Sequence, residues 1–263
     1  MRAPTDLSVD IPILAADILA LIRARAPRVH CITNAVAQTF TANMLLALGA
    51  VPSMTIARDE IDDFVARADA LLINLGTLDA ERRAAIDRAV RVAGSRAPAH
   101  MPWVLDPVLI DRSPPRRVLA AAITSRRPCA IRLNGAEFRA LAGVEPTAET
   151  LAHHAAAHAS VIGLTGDRDV VADGERMVAI LNGDPLMAKV TAMGCAASAV
   201  VAACHAVEPD PWLATAAGLL LMGIAGEVAA EGARGPGSFA VAVLDALHGL
   251  DAATITQRAR VER

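Results

Sequence analysis

The chain has 263 residues, of which 54% are hydrophobic and 20% charged, and its formal net charge is −3 at pH 7. This composition excludes intrinsic disorder, since a disordered chain has too few apolar residues to form a core. The length suits one large α/β domain. The charge argues against nucleic-acid binding, which needs a basic surface. The absence of Tyr, with four Phe and two Trp, argues against a base-stacking surface.

The sequence predicts a soluble protein of the cytoplasm with no membrane partner. The longest apolar run, 213–226, ends at Glu227 and is shorter than the ~18 residues of a spanning helix, which favours a buried helix. The first ten residues lack the apolar segment of a secretion signal. The four cysteines are scattered and form no CxxC pair, as is typical of a reducing compartment.

Short β-branched runs alternate with segments of helical spacing, which predicts a parallel sheet covered by helices on both faces, in one domain over 1–263. The predicted strands are 29–32, 51–56, 70–75, 103–108, 130–133 and 161–164. The predicted helices are 39–48, 59–68, 79–93, 115–123, 134–141 and 147–158. A hairpin over 169–171 and 177–181 follows, then a further strand after the Asn182-Gly183 turn. Helices at 195–207, 213–230 and from about 238 close the chain.

Polar residues recur where the predicted strands end. Because ligands bind at the carboxyl ends of parallel strands, these residues predict a lined cleft there. The set comprises Asn34, the pair Ser53-Met54, Asn74, Asp106, the segment with Arg132, Asn134 and Glu137, and Thr165.

The segment Thr191-Ala192-Met193-Gly194-Cys195 precedes a helix with almost no polar residues. A helix N-terminus carries unpaired N–H groups and partial positive charge, so this one suits a phosphate. A cysteine at that position has its pKa lowered from about 8.5, which favours the thiolate. The alternative is that Cys195 is a small buried apolar residue, as we expect of Cys204.

Asp106 and Glu137 are the acidic candidates, because Mg²⁺ with a nucleotide takes one or two carboxylates. The alternatives are a turn-forming role for Asp106 before Pro107 and a capping-box role for Glu137 with Asn134. Arg132 suits a nucleotide phosphate or a surface ion pair.

Two other patterns favour structural roles. His154 and His158 have the i, i+4 spacing of a zinc pair, yet no third ligand accompanies them, which favours a solvated helix face. His205 suits a core or helix-end position. The sequence contains no Gly-x-x-x-x-Gly-Lys-Ser/Thr motif.

Several segments in register resemble the hydroxyethylthiazole kinase family over residues 29–250. They include Val29 to Asn34, Asn74 to Leu78, Trp103 to Val108, Arg132 to Glu137, Lys189 to Cys195 and Gly235 to Phe239. The resemblance implies a three-layer ribokinase-like fold and an enzyme that transfers the γ-phosphate of ATP to the hydroxyl of 4-methyl-5-(2-hydroxyethyl)thiazole, a step of thiamine salvage. It also implies a homotrimer with the thiazole site between subunits.

The resemblance assigns a role to each candidate residue. Cys195 takes the position of the catalytic base in related kinases, and the amides of Ala192, Met193, Gly194 and Cys195 face the transferred phosphoryl group. The thiazole contacts are Met54, Ala192 and Asn34, and the ATP contacts are Arg132, Thr165 and Asn134. Asp106 and Glu137 serve Mg²⁺ and the phosphates.

This chain departs from the family pattern at three positions. Ala192 and Met193 stand where the family has Gly and Thr, and Leu133 stands where it has Gly. An alanine adds a Cβ where glycine permits a positive φ or close approach of a ligand. Two alternatives to thiazole phosphorylation follow: a kinase of the same fold acting on another small heteroaromatic alcohol, and a homologue that binds thiazole or nucleotide with impaired catalysis.

Overall fold

A computed structural model describes residues 10–96 and 100–262 of the chain. In this part of the chain, nine strands form one sheet in the order β2-β1-β3-β4-β5-β6-β7-β8-β9. The strands are β1 (Arg28–Ile32), β2 (Val51–Ser53), β3 (Ala70–Asn74), β4 (Trp103–Asp106), β5 (Ala130–Asn134), β6 (Val161–Thr165), β7 (Asp169–Ala172), β8 (Met177–Ile180) and β9 (Val261–Glu262). The six strands β1 to β6 pair in parallel, which confirms the predicted sheet.

Eleven α-helices of the described residues cover this sheet. They are α1 (Ile11–Arg25), α2 (Gln38–Leu48), α3 (Ile61–Arg67), α4 (Ala80–Ser95), α5 (Pro114–Thr124), α6 (Gly135–Ala142), α7 (Ala148–His158), α8 (Met193–His205), α9 (Pro211–Gly232), α10 (Pro236–Gly249) and α11 (Ala252–Arg258). One buried cluster packs α1, α2, α8, α9, α10 and α11 on one face, and a second packs α3 to α7 on the other. The result is the three-layer arrangement.

Successive side chains of a strand point to opposite faces of a sheet, and the buried residues follow this rule. In β3, Leu72 lies in the cluster that contains α8, whereas Leu71 and Ile73 lie in the opposite cluster. In β4, Val104 and Leu105 divide in the same way. The alternation of side chains along each strand therefore determines which strand-end residue faces α8.

The predicted strand after Asn182-Gly183 is wrong. The chain forms a 3-10 helix over Pro185–Lys189 instead, in which Asp184 caps the amide of Leu186 and Pro185 has no N–H to pair. The hairpin of β7 and β8 is confirmed, and the free edge of β8 pairs with β9 from the far end of the chain. Sequence analysis predicted neither β9 nor the helices α1 and α11.

Helix α9 is long and apolar enough to cross a membrane by length and composition, and 78% of its most apolar window is buried. Its small residues let its neighbours approach: a Cβ on Gly218 would lie 2.8 Å from the Cα of Val201 in α8. This burial against α8, α10 and the sheet confirms the predicted buried helix.

Candidate active site

Three strand-end side chains, those of Asn74, Asp106 and Arg132, meet the first turns of α8 at the carboxyl edge of the sheet. Asn74, Asp106 and Arg132 each stand two positions after a residue of the α8 cluster, so the strand period turns them to that face. Asn74 and Asp106 are direct partners in the parallel register of β3 and β4. Thr165 ends β6 beside Asn134. The structure thus brings together residues that the sequence placed in separate segments.

A hydrogen-bonded chain of side chains joins Cys195 to Asp106. The Nδ2 group of Asn34 donates to the Cys195 Sγ at 3.2 Å and to the Asn74 Oδ1 at 3.1 Å. The Nδ2 group of Asn74 donates to the Asp106 Oδ2 at 2.8 Å, and the Ser198 hydroxyl donates to the same oxygen at 2.9 Å. Asn74, Asp106 and Ser198 are almost fully buried, so their hydrogen bonds are electrostatically stronger than they would be in water.

Arg132 lies against the first turn of α8. A Cβ built on Gly194 would lie 2.9 Å from the Arg132 Nη1, so glycine is what allows the guanidinium to sit there. The Nε of Arg132 is buried and has no hydrogen-bond partner among the described residues. A buried donor without a partner is costly, and a phosphate oxygen is the acceptor that suits a guanidinium. The arrangement fits an anion site, not the surface ion pair considered as an alternative.

Ala192, the N-cap of α8, has φ 68° and ψ −4°, in the left-handed region that favours glycine. It offers no side-chain cap, so the first amides of α8 receive no side-chain acceptor from it. Met193 is 5% exposed and packs into the core, so its thioether points away from this turn. Only the backbone of Met193 can therefore face a phosphate.

The expectation of a lowered pKa for Cys195 is wrong. Burial raises the pKa of the Cys195 thiol to about 11, and the charge of Asp106 adds to this effect. The hydrogen bonds with Asn34 and Asn74 and the charge of Arg132 lower the pKa of this thiol, but their effects are smaller than that of burial. The thiol is therefore protonated at neutral pH. Cys204 is fully buried, as predicted.

The two carboxylates fit Mg²⁺ as a partial shell. Burial raises the pKa of Asp106, with the Arg132 charge opposing, and burial raises the pKa of Glu137, with Asp106 adding to the rise. Both groups are oxygen donors near one arginine, and Mg²⁺ takes one or two carboxylates while phosphates and water complete its shell. Among residues 10–96 and 100–262, no group of three or more His, Cys, Asp or Glu could hold a metal alone.

Glu137 and Asn134 also have the structural role considered as an alternative. They form a capping box at the start of α6, in which the Asn134 Oδ1 accepts from the Glu137 amide at 3.0 Å. The second oxygen of Glu137 accepts from the Asn134 amide, and the first accepts from the Leu109 amide at 2.8 Å. Each oxygen keeps one lone pair for another ligand.

Met54 is half-buried and packs against the α8 cluster. The buried imidazole of His30 contacts both chain neighbours of Met54. Its Nδ1 lies 2.8 Å from the Ser53 hydroxyl, and its Nε2 lies 3.0 Å from the Thr55 carbonyl. Since a carbonyl only accepts, Nε2 carries the proton. Burial lowers the pKa of His30 to about 4, so this clamp is neutral.

The interpretation of His154 as part of a solvated face is wrong. Its ring packs edge-on against Phe138 at 5.5 Å and lies 4.5 Å from the ring of His158. Burial lowers the pKa of His154 to about 4, with the nearby His158 adding to the effect. His205 is 5% exposed in the last turn of α8, as predicted.

Sequence analysis missed Ser198 and gave Asn74 no role. Ser198 lies inside an apolar helix with no motif to mark it, and only its three-residue distance from Cys195 hints that it shares the same face. The position of Asn74 at the end of its strand was the feature of the sequence that could have indicated a role in the site.

The fold and this site define a class: an α/β phosphotransferase of the ribokinase-like kind, with a buried arginine against a helix N-terminus. A ribokinase-like superfamily protein from Enterococcus faecalis V583 has a TM-score of 0.63 at 15% identity, covering 94% of this chain and 90% of that one, which shows the fold alone.

The family follows from three closer comparisons. The model of the hydroxyethylthiazole kinase family matches residues 19–253. A hydroxyethylthiazole kinase of Cronobacter sakazakii is 46% identical over 247 residues, which cover 89% of this chain and 92% of the relative. The structure of a hydroxyethylthiazole kinase from Pyrococcus horikoshii OT3 has a TM-score of 0.89 at 36% identity and covers 94% of this chain and 98% of that one. The chain belongs to the hydroxyethylthiazole kinase family.

Proposed function

We propose that this chain transfers the γ-phosphoryl group of ATP to the hydroxyl of 4-methyl-5-(2-hydroxyethyl)thiazole, a salvage step toward thiamine in the cytoplasm. The observation that carries the proposal is the meeting of Arg132, Asp106 and Cys195 at the first turn of α8. Phosphoryl transfer depends mainly on positioning and on charge stabilisation, and these residues supply both.

Arg132 and the amides of 192–195 act on the transferred group. The guanidinium has a buried N–H without an acceptor, and it lies against the helix terminus where the amides point outward. Together they bind the oxygens of the γ-phosphoryl group and stabilise the charge on them in the transition state. Thr165 and Asn134, neighbours in the register of β5 and β6, contact the rest of ATP.

Cys195 and Asn34 receive the alcohol. The new bond joins the substrate oxygen to phosphorus as the bond to the bridging oxygen of ADP breaks, and the hydroxyl proton passes to a phosphoryl oxygen or to water. Because the Cys195 thiol is protonated at neutral pH, its contribution as a base is small, near the lower end of the ~10²–10⁴ range. A loose transition state tolerates late loss of the alcohol proton.

Asp106 and Glu137 would hold Mg²⁺ through oxygen atoms. When bound, that ion neutralises phosphate charge and orients the phosphates. The buried carboxylate of Asp106 also holds Asn74 and Ser198 in place without it.

The thiazole ring lies against Met54, Ala192 and Asn34 in this proposal, at a boundary between subunits of a homotrimer. Strand β2 is an edge strand, and the exposed Val51 and Phe64 line a groove of about 380 Å³ next to Met54. Sedimentation is expected to give a mass three times that of the 27.3-kDa chain, and a mass of one chain would contradict the trimer.

A coupled ADP-release assay with ATP, Mg²⁺ and hydroxyethylthiazole tests the activity, with the product mass determined in the same sample. We expect ADP and phosphorylated thiazole in equal amounts, and no ADP with 4,5-dimethylthiazole, which lacks the hydroxyl. Thiazole binding without turnover would identify an impaired homologue, and neither binding nor turnover would identify a kinase for another alcohol.

A further inference from the structure

We infer that Asn74 is a positioning residue that links the carboxylate of Asp106 to the thiol of Cys195, both by its own contact with the sulfur and through the amide of Asn34. This inference rests on the proposed function for its kinetic consequence but not for its structural one. Asn74 acts on the sulfur along two routes, its own side-chain hydrogen bond with Cys195 and the bond it accepts from Asn34, which in turn donates to Cys195.

The carboxylate fixes how the Asn74 amide is turned. Its Nδ2 faces the Asp106 Oδ2 at 2.8 Å, and its Oδ1 accepts from the Gly76 amide at 3.0 Å. The flipped amide would place an oxygen against the carboxylate and an NH₂ against an N–H donor. Both contacts would be repulsive in a buried site, where Asn74 is 1% exposed.

That orientation fixes Asn34 in turn. The Oδ1 of Asn74 accepts from the Asn34 Nδ2, and the Asn34 Oδ1 accepts from the Ala37 amide at 2.9 Å. The NH₂ group of Asn34 is thereby aimed at the Cys195 sulfur at 3.2 Å. Close packing adds to this constraint, because a Cβ on Gly76 would lie 2.5 Å from the Cβ of Asn34.

The consequence is a fixed direction for the hydrogen bonds of the Cys195 thiol. The sulfur accepts a hydrogen bond from Asn34, so the S–H group is free to point toward the substrate hydroxyl and the phosphoryl group. Without Asn74, the Asn34 amide has one fewer acceptor, and its contact with the sulfur is no longer enforced.

The S–H stretching band in the infrared spectrum tests this inference without substrate. The C195S variant identifies the band of Cys195 among the four thiols, and N34A gives the band position when the donor is absent. We expect the isosteric N74L to move the Cys195 band in the same direction as N34A. The same movement is expected from N74A, which adds no bulk and keeps the test available if N74L does not fold.

A matched control is T215V, which removes a different buried hydrogen bond of α8, that between the Thr215 hydroxyl and the His205 Nε2 at 3.1 Å. It should leave the Cys195 band in place. A Cys195 band that stays at the wild-type position in the Asn74 variants, or in N34A, would overturn the inference.

The kinetic readout separates this inference from the proposed function. With thiazole as substrate, we expect N74L to lower kcat by about 10-fold and to leave the KM for ATP within about twofold, as for removal of a residue that orients a reacting group. A KM that rises while kcat is unchanged would overturn the positioning role. If the wild type does not phosphorylate the thiazole, the proposed function fails, and the infrared shift still decides the inference.

Discussion

At the scale of single residues, three non-glycine residues near the site have a strained, left-handed backbone conformation. Ala192, Thr77 and Leu109 all have positive φ, at 68°, 47° and 59°. They lie at the start of α8, after β3 and after β4, all near the carboxyl edge of the sheet. A left-handed non-glycine residue costs roughly 1–2 kcal/mol, so the surrounding contacts must hold each one in place.

The substitution A192G is expected to raise the free energy of unfolding by about 1 kcal/mol, because glycine adopts this φ without strain. In the proposed function it also removes the Cβ next to the transferred phosphoryl group, so we expect kcat/KM to rise. Denaturant unfolding and initial rates measure the two effects.

Its control is A159G, at the left-handed C-cap of α7 with φ 49°. This variant should gain similar stability with unchanged kinetics. Slower turnover by A192G than by wild type would contradict the proposal that Ala192 and the amides after it face the phosphoryl group.

Residue patterns predicted much of the site but not its chemistry. The strand ends and the apolar helix located Asn34, Asp106, Arg132 and Cys195, because the period of a parallel sheet brings such positions to one edge. The raised pKa of Cys195 could not be predicted, since it depends on burial and on the charge of Asp106. Both effects arise only when distant segments pack together.

At the scale of secondary structure elements, α8 connects the site to a buried histidine at its other end. Cys195 and Ser198 lie in its first turns, and His205 lies in its last turn, where its Nε2 contacts the Thr215 hydroxyl of α9. Thr215 donates to the Pro211 carbonyl, so it accepts from the His205 N–H. An imidazolium would keep this donor, but its charge would be buried without water, so the folded state favours the neutral imidazole.

Acid is expected to lower the free energy of unfolding, because the folded state disfavours the charged His205. Burial lowers the pKa of His205 to about 4, whereas the unfolded chain titrates near 6.5. Between these values the unfolded state binds a proton that the folded state does not, so stability falls as the pH falls. From pH 7 to pH 5, the contribution of His205 to this loss is about 2 kcal/mol.

Urea unfolding of H205Q at both pH values measures this contribution, because glutamine can still donate to Thr215 but takes up no proton. The difference between pH 7 and pH 5 should shrink by about that amount. The substitution H153Q on the exposed face of α7 is the control. An H205Q variant that loses as much stability as wild type would contradict the account.

Long, periodic elements were predictable, and short or terminal ones were not. The strands β1 to β6 and most helices agree with their patterns, because each buries a continuous apolar face. Strand β9 has two residues and pairs with β8 across about 80 positions of sequence. Local pattern carries no signal for such a pairing, which arises from tertiary contact.

At the scale of the whole molecule, the strand-end residues of the site face one side of the sheet, and Glu137 is supplied by α6 from the layer on the other side. The layer of α3 to α7 packs on one face, and the strand-end polar residues turn toward the other, where α8 begins. The site therefore lies where two layers and one helix terminus meet. Two properties follow from this one placement: burial of Asp106 and the approach of Arg132 to Gly194.

The most direct measurement of the central claim is the rate of phosphorylated thiazole formation, determined by mass, for wild type and for D106N side by side. We expect product and ADP in equal amounts from wild type. We expect a rate at least ~100-fold lower from D106N, as for loss of a charge that organises the transition state. Thermal unfolding of D106N serves to confirm that the variant is folded. Formation of product by folded D106N at the wild-type rate would contradict the account.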